Sequence, residues 1–247
     1  FVVLCLLWGS NFIAIKFGVE TLPPLGMMGV RFVTAGALMY AALRVFGRGG
    51  PPTHGEWLAA ARVGVCVITL GAGGIAWAIQ RIPSGVSSLF VATLPLWLAL
   101  MAWLRGSAPS VREATGVVLG FVGVALLVLG GTVPGQPSLD YTAVTVLLAS
   151  TFVFGLGSLM SRSPSMPPSA LLGTAMQMLA GGGLLLVVSP LAGEWRTFEG
   201  GSVSARSLLA LAYQIVFASV VAYTTYMWLL KVARVAWVAA YTYVMPV

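Results

Sequence analysis

Charge is what this 247-residue sequence has least of: 8% of its residues are charged, against 59% that are hydrophobic. A soluble domain carries about 25% charged residues, so the composition argues against any ordinary water-soluble fold. Acids are the scarcest, with six Asp+Glu against thirteen Lys+Arg and a net charge of +7. None of the acids falls in the middle of an apolar run; Glu113 and Asp140 stand at run starts, where a carboxylate suits the helix dipole. Pumps that relay protons place carboxylates or histidines inside the membrane, so no relay through a buried acid is expected. The one histidine, His54, lies in a Pro/Gly loop without Cys or His company. The two cysteines, Cys5 and Cys66, sit inside apolar runs with no CxxC and read as packing residues. No metal site or cofactor is expected, and an intramembrane enzyme lacks the acids, base or metal it would need. Eleven of the thirteen cations are Arg, but they lie singly between apolar runs, unlike a nucleic-acid surface.

What the chain does have is apolar length. Runs cover 1–17, 25–45, 57–79, 84–104, 112–130, 139–160, 168–190, 207–230 and 235–247. Seven of them match the ~20 residues that a helix needs to cross a bilayer. The first is slightly short, and the ninth stops after thirteen residues. Ten-residue alternating strands are absent, so the spans read as helices, which satisfy their own backbone in lipid. The expected fold is an all-α membrane protein, a polytopic bundle with nine visible spans, the last one partial. The connectors are short and rich in Pro, Gly and Ser, and none holds a soluble domain. No cleavable signal peptide is recognisable, since the chain opens directly in an apolar run.

Alternate connectors and flanks carry Arg44, Arg48, Arg62, Arg105, Arg112, Arg162, Lys231 and Arg234. The opposite side holds Arg81, Arg196 and Arg206, with Lys16 and Arg31 near it but deeper. The positive-inside rule then places the first set, and the N-terminus, in the cytoplasm.

Two stretches repeat. Pro23-Pro24 precedes one span and Pro167-Pro168 another, 144 residues later; "VATLPLW" (91–97) is echoed by "YTYVMPV" (241–247), with Pro95 and Pro246 offset by 151. Five spans separate the copies. Five is odd, so the halves face opposite ways, as inverted-repeat carriers do. The halves divide at 1–130 and 139–247, and the same arithmetic puts a tenth helix beyond Val247.

"WGSNFIAIK…PP…RF", "IPSGVSSLFVATLPL" and the closing "YTYVMPV" together resemble the EamA-type drug/metabolite transporter superfamily, in order over essentially the whole chain. The resemblance implies ten helices in two inverted five-helix halves in a bacterial inner membrane. It also implies export of amino acids or related metabolites through a central cavity. The visible departure is the absent tenth helix.

Candidate site residues follow from cost. Arg31 stands about 10 Å along its span, where an unpaired cation costs about 2.5–3.5 kcal/mol on insertion scales. A water-filled cavity and an anionic group such as a substrate carboxylate would offset that; reaching an interface or capping carbonyls is the alternative. Lys16 is a second candidate, against snorkelling or pairing with Glu20 one turn on. Ser10 and Asn11 make a polar patch in the first span, suited either to helix contact or to a cavity wall; by resemblance the patch belongs near the cavity. Trp77, Gln177, Tyr223 and Tyr241 supply further bonding groups, with Gln177 and Tyr223 deep in their spans. Pro95 and Pro246 lie inside spans and are candidate hinges, or else static bends. Gly116 and Gly120, at GxxxG spacing, favour packing within the chain over dimerisation. The function expected is a secondary transporter of small metabolites, with a channel or a non-transporting scaffold as the alternative.

Overall fold

The computed structural model describes residues 1–46, 50–106, 111–129, 140–196, 198 and 203–243. It is helical, with no strand among those residues. The helices are α1 (Val2–Gly18), α2 (Pro24–Val45), α3 (His54–Ile79), α4 (Ser84–Val91), α5 (Leu94–Leu104), α6 (Val111–Leu129), α7 (Tyr141–Met160), α8 (Ala170–Leu191), α9 (Ala205–Val232) and α10 (Val235–Ala239). Among the described residues, six stretches are long and apolar enough to cross a membrane: α2, α3, the α4–α5 stretch Gly85–Leu104, α7, α8 and α9. Two shorter apolar helices, Val2–Gly18 and Ala114–Leu126, accompany them. The chain is a polytopic helical membrane protein.

The connectors start the helices by capping. Thr53 and Glu56 form a reciprocal capping box at α3, Asp140 accepts from Ala143 N at α7, Ser169 from Leu172 N at α8, and Ser204 from Ser207 N at α9. α2 begins with Pro24, whose missing N–H costs nothing in a first turn. Its next two amides, Leu25 N and Gly26 N, both donate to the Glu194 carboxylate at 3.0 Å. Ser189 near the end of α8 also donates to Glu194, at 2.7 Å. One carboxylate thus ties the start of α2 to the end of α8. Glu194→Ala is expected to lower the melting temperature in detergent by the equivalent of about 1 kcal/mol, the usual value of a lost helix cap.

α2 and α8 form the centre of the bundle and run antiparallel. Gly26 faces Ser189, Gly29 faces Leu186, Phe32 faces Gly182 and Gly36 faces Met178. α1 pairs antiparallel with α9: Trp8 donates to the Ala218 carbonyl, Ser10 meets the Tyr213 hydroxyl, and Ser207 donates to the Phe17 carbonyl. α3 pairs antiparallel with α7, Cys66 against Gly157, Gly71 against Phe154 and Gly74 against Ser150. Gly120 of α6 rests on Leu96 of α5, a contact within the chain, while Gly116 faces open space.

Three features depart from regular helices. α3 widens into a π-helix over Val65–Ala72, and α9 does so over Gln214–Tyr223. The run 84–104 is broken between Val91 and Leu94, where Thr93 folds its hydroxyl onto the Phe90 carbonyl at 2.7 Å. Pro95 therefore lies in the first turn of α5 and does not interrupt a continuous helix. The break precedes the proline, and the ring sits where no intrahelical N–H is needed. Pro246 lies outside the described residues.

Candidate functional site

A cavity opens where α1, α2, α3, the α4–α5 break, α7, α9 and the segment after α10 converge. It leaves about 70 Å³ to the centre of a water-sized sphere, room for several waters. Apolar side chains make most of its wall, among them Phe12, Ile15, Met28, Phe32 and Val67. Val91 and Leu94, on either side of the break, also reach it. An aromatic group closes one flank: Trp8 lies 4.9 Å from Tyr241, 5.0 Å from Tyr226 and 6.3 Å from Phe154, ring centre to ring centre.

Into this apolar wall the fold sets one guanidinium. Arg31 is 3% exposed and lines the cavity. Its Nε donates to Ser219 Oγ at 2.7 Å and its Nη1 to Gln214 Oε1 at 3.1 Å. Both acceptors are neutral. The two ion pairs among the described residues are Arg81–Asp140 and Arg206–Glu20, so no carboxylate faces Arg31 there. Asn11 shares the wall, and its Oδ1 is buried without a hydrogen-bond partner. A buried acceptor left open costs about 1–3 kcal/mol, and such groups ask for an explanation. The site thus offers a cation and an amide acceptor in an apolar, aromatic chamber.

The remaining candidates divide. Tyr223 and Tyr241 line the cavity. Gln177 is buried behind it on α8 and accepts from the Tyr223 hydroxyl at 2.7 Å, which fixes that ring. Three further candidates also lie outside the lining. Lys16 donates from Nζ to the Ile79 carbonyl at 3.2 Å, capping the end of α3; Glu20 pairs with Arg206 instead. Ser10 is exposed and bonds to the Leu6 carbonyl and the Tyr213 hydroxyl in the α1–α9 seam. Trp77 lines a second, wetter opening of about 710 Å³ at the Pro24 end of the bundle, where the Arg81 guanidinium stacks 3.8 Å above its ring. Ser10 and Asn11 part company because consecutive residues lie about 100° apart around a helix of 3.6 residues per turn.

The two π-helical stretches, and Phe154, Thr151 and Ser219 as part of the site, were not foreseen from the sequence. Trp8 opens the WGSN patch that the resemblance sets near the cavity, and its indole N–H lies 3.1 Å from the Ala218 carbonyl, an acceptor inside a widened helix. The π turns have no signal in the sequence.

The profile of the EamA-like transporter family matches residues 1–129. The "Uncharacterized inner membrane transporter YedA" of Escherichia coli (strain K12) is 35% identical over 245 residues, covering 99% of this chain and 77% of its own length. The "Uncharacterized transporter YvbV" of Bacillus subtilis (strain 168) is 25% identical over 247 residues, covering 98% of this chain and 78% of its own. A solved crystal structure superposes with a TM-score of 0.68 at 21% identity, over 99% of this chain and 82% of that one.

Proposed function

The chain belongs to the EamA-like transporter family, and on that premise we propose that it is a secondary carrier of small carboxylate-bearing metabolites, amino acids foremost. The observation that carries this reading is Arg31: a buried guanidinium on a cavity wall, bonded only to neutral acceptors. A guanidinium matches a carboxylate with two parallel hydrogen bonds, which are shorter and about twice as strong as neutral ones. The unpartnered Asn11 Oδ1 offers an acceptor for a substrate N–H, and Trp8, Phe154, Tyr223 and Tyr241 offer an apolar bed for its body.

Alternating access between two inverted halves, 1–130 and 139–247, is the proposed mechanism, with substrate moving outward from a cytoplasmic N-terminal side. Three features support the inversion. The helices behind the two Pro-Pro pairs, α2 and α8, pack antiparallel. Moving Ser10 forward and Tyr213 back by the 144 residues between Pro23 and Pro167 lands within two residues of the Phe154–Gly71 contact, so the α1–α9 and α3–α7 seams share one register. Both α3 and α9, which are equivalent under this shift, carry a π stretch. The broken α4–α5 span beside the cavity fits the discontinuous helices that carriers place at their substrate sites.

The experiment is counterflow in liposomes with a panel of neutral and aromatic amino acids. Saturable exchange of internal for external substrate is expected. Flux that rises linearly without saturation would make the protein a channel, and a panel without flux would remove amino acids as the substrate class.

A further inference from the structure

The partners of Arg31 come from one place. Ser219 and Gln214 both lie in the π-helical stretch Gln214–Tyr223 of α9, and both are fully buried. Gln214 also donates from Nε2 to the Ala14 carbonyl at 3.2 Å, so it joins α1, α2 and α9 at one point. Trp8 holds the same stretch through the Ala218 carbonyl. Tyr223, its last residue, lines the cavity and bonds to Gln177 of α8. The stretch is therefore gripped from α1, α2 and α8 by side chains.

We propose that Ser219 and Gln214 are placeholders for the substrate's anionic group: they occupy the Arg31 guanidinium while the cavity is empty, and a bound carboxylate displaces them and frees the π stretch of α9 to move. This deepens the carrier reading above and rests on it. The exchange favours the carboxylate, because charge-assisted bonds are about twice as strong as those to a hydroxyl or an amide. The π geometry suits a moving part, since π turns are rare and concentrate at functional sites. A change of one residue in helical register turns the side chains beyond it by about 100°. Tyr223 would then leave the cavity wall and its bond to Gln177. One event at Arg31 thus reaches α1, α8 and α9 together. Ser219 and Gln214 are positioning residues in this scheme, acting through Arg31.

The test begins without a ligand. Backbone amide exchange is measured on the reconstituted full chain, as wild type and as Arg31→Ala, with the α3 stretch Val65–Ala72 as the internal reference. The expected result is a rise of tenfold or more across Gln214–Tyr223 in the variant, with Val65–Ala72 unchanged. Exchange unchanged in Gln214–Tyr223, or raised equally in both stretches, would overturn the coupling. The second arm is counterflow of L-phenylalanine in Ser219→Ala. Removing a competitor for the guanidinium lowers KM several-fold and slows the maximal rate; a residue that merely steadied Arg31 would raise KM, and that result also overturns the proposal. Wild-type protein without phenylalanine counterflow would count against the proposed substrate, while the exchange measurement judges the coupling by itself.

Discussion

Arg31→Ala is expected to lose substrate affinity by about 10- to 150-fold while the protein still inserts and melts near the wild-type temperature. The affinity figure follows from hydrogen bonds to charged groups, which contribute about 1.5–3 kcal/mol, at 1.4 kcal/mol per factor of ten. The retained stability follows from the other side of the same balance. An arginine held in the membrane interior costs about 2.5–3.5 kcal/mol on insertion scales, and removing it offsets the lost bonds to Ser219 and Gln214. A residue kept at a stability cost and needed for transport is a functional one. Arg31→Gln serves as the second variant, since its amide can still bond to Ser219 or Gln214 and keep the site filled. Lys16→Ala is the control: its Nζ caps the end of α3 away from the cavity, so counterflow is expected to stay within twofold of wild type. Wild-type affinity in both Arg31 variants, with folded protein shown by gel filtration, would remove the guanidinium from the substrate site.

The helical runs were legible because lipid leaves the backbone few choices. The runs 25–45 and 168–190 differ from α2 and α8 by at most two residues at either end. Arg31 was legible for a related reason: a charge seven residues into an apolar span has few explanations. The phase of each helix was not legible. In a soluble helix the polar face points to water and the apolar face to the core. Here lipid and protein interior are equally apolar, so adjacent polar residues such as Ser10 and Asn11 give no sign of which one faces inward. The structure sends Asn11 to the cavity and Ser10 to the α9 seam. Trp77 and Trp8 show the same ambiguity between interfacial belt and cavity wall. Trp77 lies at the second opening and Trp8 in the chamber, and neither assignment follows from distance along the run. The π stretch of α9 was hidden because side chains of other helices hold it, through contacts as distant in sequence as Trp8 and Ala218.

The second large effect is expected in the Gly181–Gly182–Gly183 stretch of α8, and it differs between neighbours. A Cβ on Gly181 would stand 2.5 Å from the Gly64 carbonyl oxygen and 2.8 Å from Ile68 Cβ of α3. On Gly182 it would stand 2.9 Å from both Phe32 Cβ and Val33 N of α2. On Gly183 it would meet nothing within 4 Å. The first two glycines thus let α8 touch α3 on one side and α2 on the other, nearly backbone to backbone, and Thr69 uses the closeness to donate to the Gly181 carbonyl at 2.9 Å. In a membrane no hydrophobic drive pulls helices together, so small residues and close van der Waals contact supply much of the association. Overpacking a core costs about 1–3 kcal/mol where side chains can yield; backbone atoms yield far less. Gly181→Val and Gly182→Val should therefore force α8 away from its neighbours, and the protein should be lost to aggregation or degradation. Separation would also withdraw Gln177 from Tyr223, so any surviving protein should transport poorly. Gly183→Val should express and run on gel filtration as wild type, and on helix propensity it has slightly less to lose than a glycine. Equal yields of all three variants would mean that α8 does not pack through this face, and the antiparallel α2–α8 centre on which the inverted halves depend would go with it.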